Sequence, residues 1–297
     1  MASGDSVVSL AGGRGQAPAR LLARAKVNLF LHLRGQRDDG YHLLESLVVF
    51  PEIGDVVEIE DGPGLGLSID GPFAWDLPVD GTNLVLAAAE RLAAATGQVR
   101  PRASLRLVKN LPIASGIGGG SADAAAALAL CARAWGVEVP GDVALALGAD
   151  VPVCTCAPRP TWMAGIGERV APGPVLPPFW MVLANPLTAV STPAIFRATS
   201  EKDCPAMAPA PAAGLADFDA LTGWLGEGRN DLEPAARSLC PAIGEILEAL
   251  SDAPLARMSG SGATCFALYA TEAAALAAAD TLRAADRGWW VGAARCG

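Results

Sequence analysis

The spacing of apolar positions changes period several times along the chain. Residues 21–35, LLARAKVNLFLHLRG, have the apolar density of strands, QRDDGYH supplies a turn, and LLESLVVF and DVVEIED predict further strands. A helical period follows: NLVLAAAERLAAATG predicts a helix that begins near Thr82 and Asn83 and is closed by Gly97. ASLRLVKN predicts another strand and runs into the glycine stretch LPIASGIGGGSADAAAAL at 111–128. Beyond it the pattern predicts a helix from about Ser121 to Trp135, a short helix over GDVALALG and a loop over ADVPVC. The proline-rich APGPVLPPF at 171–179 marks a domain boundary. After it, WMVLANP, ATCFALYA and WWVGAAR, with helical patterns at 214–226, at 242–251 and over TEAAALAAADTLRAA, make a second unit. Strands and helices mix without regular βαβ alternation, which predicts an α+β chain of two domains, 21–170 and 171–297. Residues 1–20 are small, glycine-rich and patternless, the composition of a disordered tail.

Composition narrows the function. With 297 residues, 52% of them hydrophobic and 18% charged, the chain can bury one large core or two adjoining ones. No apolar stretch is long enough to span a membrane, and VVSLAGG near the start is too short and glycine-broken for a secretory signal, so the expected location is the cytoplasm. A net charge of −9 argues against a general nucleic-acid binder, so an anionic ligand has to be met locally. Lysine is scarce: Lys26, Lys109 and Lys202 are all there is. The seven cysteines, an odd number widely spread, suit reduced thiols, and Cys154 with Cys156 lacks the second pair that a zinc site needs.

The glycine stretch carries the chemistry. Glycines remove side-chain bulk, permit positive φ and leave N–H groups facing a concavity, while the N-terminus of the following helix adds about half a positive charge. That combination suits a phosphate. Ser121 is placed to cap the helix or to turn its hydroxyl to a phosphate or metal ion, and Asp123 is expected in the first turn. A P-loop would need a lysine that is missing here, the dinucleotide fingerprint would need glycine where Ser121 stands, and a nucleophile elbow would need glycine in place of Ile113. A tight packing turn remains the alternative. A second cluster, MSGSGATCF at 258–266, reads alone as a flexible loop, but two such loops suit closure over one polyphosphate from both sides.

Together these segments resemble the GHMP small-molecule kinases, the family of galactokinase, homoserine kinase and mevalonate kinase. LPIASGIGGGSADAAAAL is similar to the family's ATP-phosphate loop and MSGSGATCF to its C-terminal glycine motif, and ARAKVNLFLHLRGQRDDGYHLLESLVVF, LGADVPVC, NPLTAVSTPAIF and RNDLE extend the likeness from about residue 22 to 266. The resemblance implies a two-domain α+β architecture with the active site in the cleft between domains. It implies ATP on Pro112, Ile113, Ala114, Ser115, Gly116, Ile117, Gly118, Gly119, Gly120 and Ser121, with Gly260, Ser261 and Gly262 from the second loop. Mg²⁺ would be held mainly through the ATP phosphates, with no dedicated protein site. Asp150 matches the catalytic base and Lys26 the active-site lysine, an ammonium that favours the developing alkoxide or the transferring phosphoryl.

The same resemblance implies a small-molecule acceptor that carries a cytosine; the net charge and the composition above speak against a nucleic-acid or a membrane partner. Tyr41 and Phe196 would take the two faces of the base, His42 its edge, and Asn28 and Thr192 the polyol end. Where some members carry an aromatic residue in the acceptor pocket this chain has Val48, for which Phe50 is the expected compensation. Two other readings stay open: the same chemistry on another acceptor such as homoserine or mevalonate, against which DGYH and TPAIF speak, and a non-catalytic sensor on a kinase fold, against which the retained Lys26 and Asp150 speak.

Overall fold

A computed structural model describes residues 19–211 and 214–296. Of the expected tail 1–20, residues 1–18 lie outside the described residues, and Ala19 and Arg20 correct the expectation by opening a strand, paired with Ile59 and Glu58. In chain order the first part contains β1 (Ala19–Arg24), β2 (Val27–Gln36), β3 (His42–Val49), β4 (Gly54–Glu60), β5 (Leu65–Asp70), α1 (Leu84–Ala95), β6 (Ala103–Val108), α2 (Gly119–Trp135), α3 (Gly141–Leu147), α4 (Val151–Cys154), β7 (Thr161–Gly165) and β8 (Arg169–Pro172). The second part contains β9 (Phe179–Asn185), α5 (Thr192–Ala198), α6 (Phe218–Gly226), α7 (Glu233–Leu239), α8 (Ala242–Ala249), β10 (Leu255–Met258), β11 (Cys265–Tyr269), α9 (Glu272–Ala284) and β12 (Trp290–Cys296).

Among the described residues these strands form three four-stranded sheets, in the orders β1-β4-β6-β5, β2-β3-β7-β8 and β10-β11-β9-β12. Only the β5–β6 pairing is parallel. β6 shows how the pattern works: Ala103, Leu105 and Leu107 are buried on one face, while Arg106 on the other bridges Glu58 and Asp70 of the neighbouring strands. β9 is buried on both faces. Met181 and Leu183 pack with Leu29, Phe30, Leu47 and Val49 of the second sheet, and Val182 and Ala184 pack with Ile243, Ile246, Ala275 and Ala279 under α8 and α9.

The helix α2 is the element that matters for the site. Its run Ala122, Ala124, Ala125, Ala126 and Ala127 is buried against the first sheet and α1, and the short side chains let the helix axis approach closely. α1 begins where expected, with the Asn83 carbonyl oxygen accepting from the Val85 N–H. Two expectations need correction. α2 starts at Gly119 rather than Ser121, because glycine's poor helix propensity is overridden by the packing of the turns that follow. ADVPVC is not a loop, since Val151–Cys154 forms a short helix with Pro152 in its first turn, a position where a missing N–H costs nothing.

Candidate active site

Two buried apolar residues pin the first glycine loop. Leu111 and Ile117 are fully buried between the second and third sheets, each contributing about 1.5–3 kcal/mol of burial. Between and after them the backbone turns sharply, with Ala114, Gly116 and Gly118 all at positive φ. Gly118 caps α2, and the N–H groups of Gly119, Gly120 and Ser121 fall in the first turn, where a helix has no acceptor of its own for them. Pro112, Ile113, Ala114, Ser115, Gly116 and Gly118 to Ser121 line a cavity of about 380 Å³, together with Thr82, Asn83, Lys109 and Asp123. Ser121 is therefore a cavity residue and not the cap.

The second glycine loop touches the first. The Thr264 N–H and hydroxyl both donate to the Ser115 carbonyl, at 3.2 and 2.6 Å, and the Asn185 amide supports Thr264 at 2.8 Å. A Cβ on Gly116 would stand 2.1 Å from the Gly262 carbonyl oxygen, and one on Gly260 would stand 3.0 Å from the Gly116 oxygen. The first contact excludes a side chain, and the second is tight at a residue whose φ of +57° already favours glycine. The Asn230 amide, from RNDLE, holds the second loop by donating to the carbonyls of Met258 and Gly260, each at 2.8 Å.

Lys26 lies across this junction. Its backbone N–H donates to Ile117 at 2.8 Å and its side chain packs over Gly118, where a Cβ would meet it at 3.1 Å. Its Nζ stands 3.1 Å from Oδ2 of Asp150, the residue that opens α4. The lysine side chain is 5% exposed and that of the aspartate 41%, so the carboxylate is open to a ligand beside a largely desolvated ammonium. Asn28 is buried beside them: its N–H donates to Ser259, its amide nitrogen to Ser46, and its Oδ1 has no partner.

A second cavity of about 500 Å³ is lined by Tyr41, His42, Thr192 and Phe196. The His42 and Phe196 rings stack at 4.8 Å with 22° between their planes, whereas Tyr41 is exposed. Burial, and then the Lys202 charge, holds the His42 imidazole below its ordinary pKa. The Thr192 hydroxyl is 2.8 Å from that of Ser261, which ties this cavity to the second glycine loop. The expectation for Val48 and Phe50 needs correction: both are buried in the core of the first sheet and its helices, so Phe50 does not face the pocket.

Asp123 also departs from expectation. With α2 beginning at Gly119 it falls in the second turn, 2% exposed, as part of a buried cluster. Lys109 Nζ pairs with Asp123 at 2.8 Å and with the fully buried Asp55, whose other oxygen accepts from the N–H groups of Asn110 and Leu111 at 2.6 and 2.8 Å. One ammonium serves two carboxylates, and burial pushes the Asp123 carboxyl well above the carboxylate range. Its Oδ1 has no partner. Sequence reasoning missed Asp55 and the role of Lys109. The scarcity of lysine was the available signal.

Models of two domains match the chain over both glycine loops and Asp150: "GHMP kinases N terminal domain" over residues 83–157 and "GHMP kinases C terminal" over 212–287. The chain is 52% identical over 284 residues to a 4-diphosphocytidyl-2-C-methyl-D-erythritol kinase of Paramagnetospirillum magneticum, covering 92% of this chain and 96% of that one. It is 53% identical over 278 residues to the corresponding kinase of Cereibacter sphaeroides, covering 92% and 97%. A crystal structure of 4-(cytidine 5'-diphospho)-2C-methyl-D-erythritol kinase superposes with a TM-score of 0.79 at 33% identity, over 94% of this chain and 99% of that one. The chain thus belongs to the GHMP kinase family, in the branch of the 4-diphosphocytidyl-2-C-methyl-D-erythritol kinases.

Proposed function

We infer that this chain transfers a phosphoryl group from ATP to the 2-hydroxyl of 4-diphosphocytidyl-2-C-methyl-D-erythritol, a step of the non-mevalonate route to isoprenoid precursors. The observation that carries the reading is the Lys26–Asp150 pair at 3.1 Å, set where two glycine loops meet. The loop around Gly118 to Ser121 offers first-turn N–H groups and a helix N-terminus, a surface that fits the phosphates of ATP, and Lys26 adds positive charge beside it. Gly260, Ser261 and Gly262 close the site from the other domain.

ATP supplies the phosphoryl group when bound there. Among the described residues no three or more His, Cys, Asp or Glu are grouped to hold a metal ion; Asp150 faces Lys26, and Ser121 and Asp123 line the nucleotide cavity, the Asp123 Oδ1 without a partner. Such a donor set fits Mg²⁺ held chiefly by phosphate and water.

Asp150 accepts the proton of the acceptor hydroxyl as the oxygen attacks, and the Lys26 ammonium stabilises the negative charge that develops on that oxygen. The products are ADP and the phosphorylated alcohol. Tyr41 and Phe196 take the faces of the cytosine and His42 its edge, with Phe196 moving off the His42 ring to admit the base. The unpartnered Asn28 Oδ1 and the Thr192 hydroxyl receive the polyol. Domains 21–170 and 171–297 each contribute part of the site, which lies between them.

Among the described residues no helix is long and apolar enough to cross a membrane. We place the enzyme in the cytoplasm, where ATP is supplied and the buried thiols of Cys131, Cys154 and Cys265 stay reduced.

The test is ADP release by the purified chain with ATP and Mg²⁺, offered 4-diphosphocytidyl-2-C-methyl-D-erythritol, homoserine or mevalonate. Turnover confined to the cytidine compound is expected. Turnover confined to another acceptor would overturn the roles of Tyr41, His42 and Phe196, and binding without turnover would make the chain a sensor.

A further inference from the structure

The cavity that holds Tyr41, His42 and Phe196 carries two cations to which the phosphotransfer chemistry gives no role. Arg197, in the last turn of α5, and Lys202, just beyond it, both line the cavity. Neither has a carboxylate partner among the described residues, and Lys202 Nζ donates only to the Gln36 side chain, at 3.3 Å. Among the acids of these segments Asp39 pairs with Arg37 at 2.7 Å and Glu45 faces Arg34 at 3.8 Å, while Asp38, Glu201 and Asp203 pair with neither cation. On a chain of net charge −9, two cations without an ion-pair partner at one cavity favour an anionic ligand there. The Lys202 charge also reaches the base pocket, where it helps keep the His42 imidazole neutral.

We propose that Arg197 and Lys202 form an anion clamp at the mouth of the base cavity that binds the diphosphate of the acceptor, so the site reads a nucleoside diphosphate rather than a nucleoside. The proposal rests on the acceptor reading above. The chemistry suits the two side chains, since a guanidinium offers a planar fork to phosphate oxygens and a lysine ammonium on a flexible four-carbon stem follows a mobile phosphate. Arg197 follows Phe196 directly, and Phe196, Arg197 and Lys202 line the same cavity, so one ligand can meet the ring and the charges together.

Titration calorimetry on the full chain tests this, with saturating ADP present to fill the nucleotide cavity and with cytidine and CDP as probes. The parent protein is expected to bind CDP at least about tenfold more tightly than cytidine, the gain from hydrogen bonds to a charged group. In Arg197→Ala/Lys202→Ala that advantage disappears, while cytidine affinity stays within about twofold. The clamp is overturned if the parent shows no preference for CDP, or if the preference survives in the double variant. CDP binding that needs both cations, with no cytidine binding and no effect of Phe196→Ala, would keep the clamp and sink the base pocket. Binding of neither probe would sink both.

Discussion

Replacing Gly116 with alanine is the sharpest test of why the chain keeps bare backbone ahead of α2. The added methyl would stand 2.1 Å from the Gly262 carbonyl oxygen and 2.7 Å from its carbon, where ordinary contact begins at 3.4 Å. Both obstacles are backbone, so no rotamer change relieves them, and the two loops must part by more than 1 Å. The residue also sits at φ +75°, which costs a side chain about 1–2 kcal/mol. Overpacking adds about 1–3 kcal/mol, so the expected loss of stability is about 2–5 kcal/mol. Parting the loops shifts Gly118 and Gly262 relative to Lys26, and a displacement of about 1 Å at a reacting centre costs on the order of 100-fold in rate. Gly120→Ala is the control for stability. Its methyl meets only a Leu84 side-chain carbon at 3.6 Å, and alanine is the better helix former, so the unfolding midpoint should hold or rise. The assay is kcat and KM for ATP by coupled ADP release, with denaturant unfolding in parallel. Parent-like kinetics and stability in Gly116→Ala would refute the contact between the loops.

Asp55→Ala removes the acceptor for the Asn110 and Leu111 N–H groups and half of the charge facing Lys109, all buried, and should cost about 3–5 kcal/mol in urea unfolding. A loss below about 1 kcal/mol would show that the cluster does not brace the loop. His32 is fully buried, accepts from the Arg229 N–H at 3.1 Å, and has its pKa lowered from 6.5 to about 4 by burial and then by the Arg229 charge. Between those values the unfolded chain binds the proton more readily than the folded one. The contribution is therefore present above pH 6.5 and is lost as pH falls towards 4, about 1–2 kcal/mol of it by pH 5. His32→Gln should shrink the difference between unfolding at pH 8 and pH 5 by that amount, and an unchanged difference would reject the assignment. Asn230→Ala frees the Met258 and Gly260 carbonyls and should lower kcat through a looser second loop, measured beside an unchanged CDP affinity.

Elements with a clean period were legible in the sequence. The α1 pattern, the Asn83 cap and the alternation in β6 all survive because local burial and local hydrogen bonds determine them. Short elements were not. Val151–Cys154 has too few residues for a period, α5, with Pro193 in its first turn, matched no predicted element, and β7 and β8 exist through pairing, β7 with β3 and β8 with β7, rather than through their own pattern. The site divided in the same way. Glycine loops and DGYH are contiguous strings and could be found. The Asp55–Lys109–Asp123 cluster joins three separate segments, and only the packing of β4, β6 and α2 shows that they meet. Asp123 was misplaced because the start of α2 was set two residues late, which moved a buried ion-pair partner into the ligand-facing first turn.

Single-turnover phosphoryl transfer by Asp150→Asn, with ATP affinity measured on the same preparation, bears most directly on the chemistry. The variant keeps the shape of the side chain and removes its ability to take a proton, together with the negative charge that faces Lys26 Nζ 3.1 Å away in the parent. The rate of phosphorylated product formation should fall by about 10²–10⁴-fold with ATP affinity within about twofold. A rate within about tenfold of the parent would mean that Asp150 is not the base and that the Lys26–Asp150 pair only shapes the site.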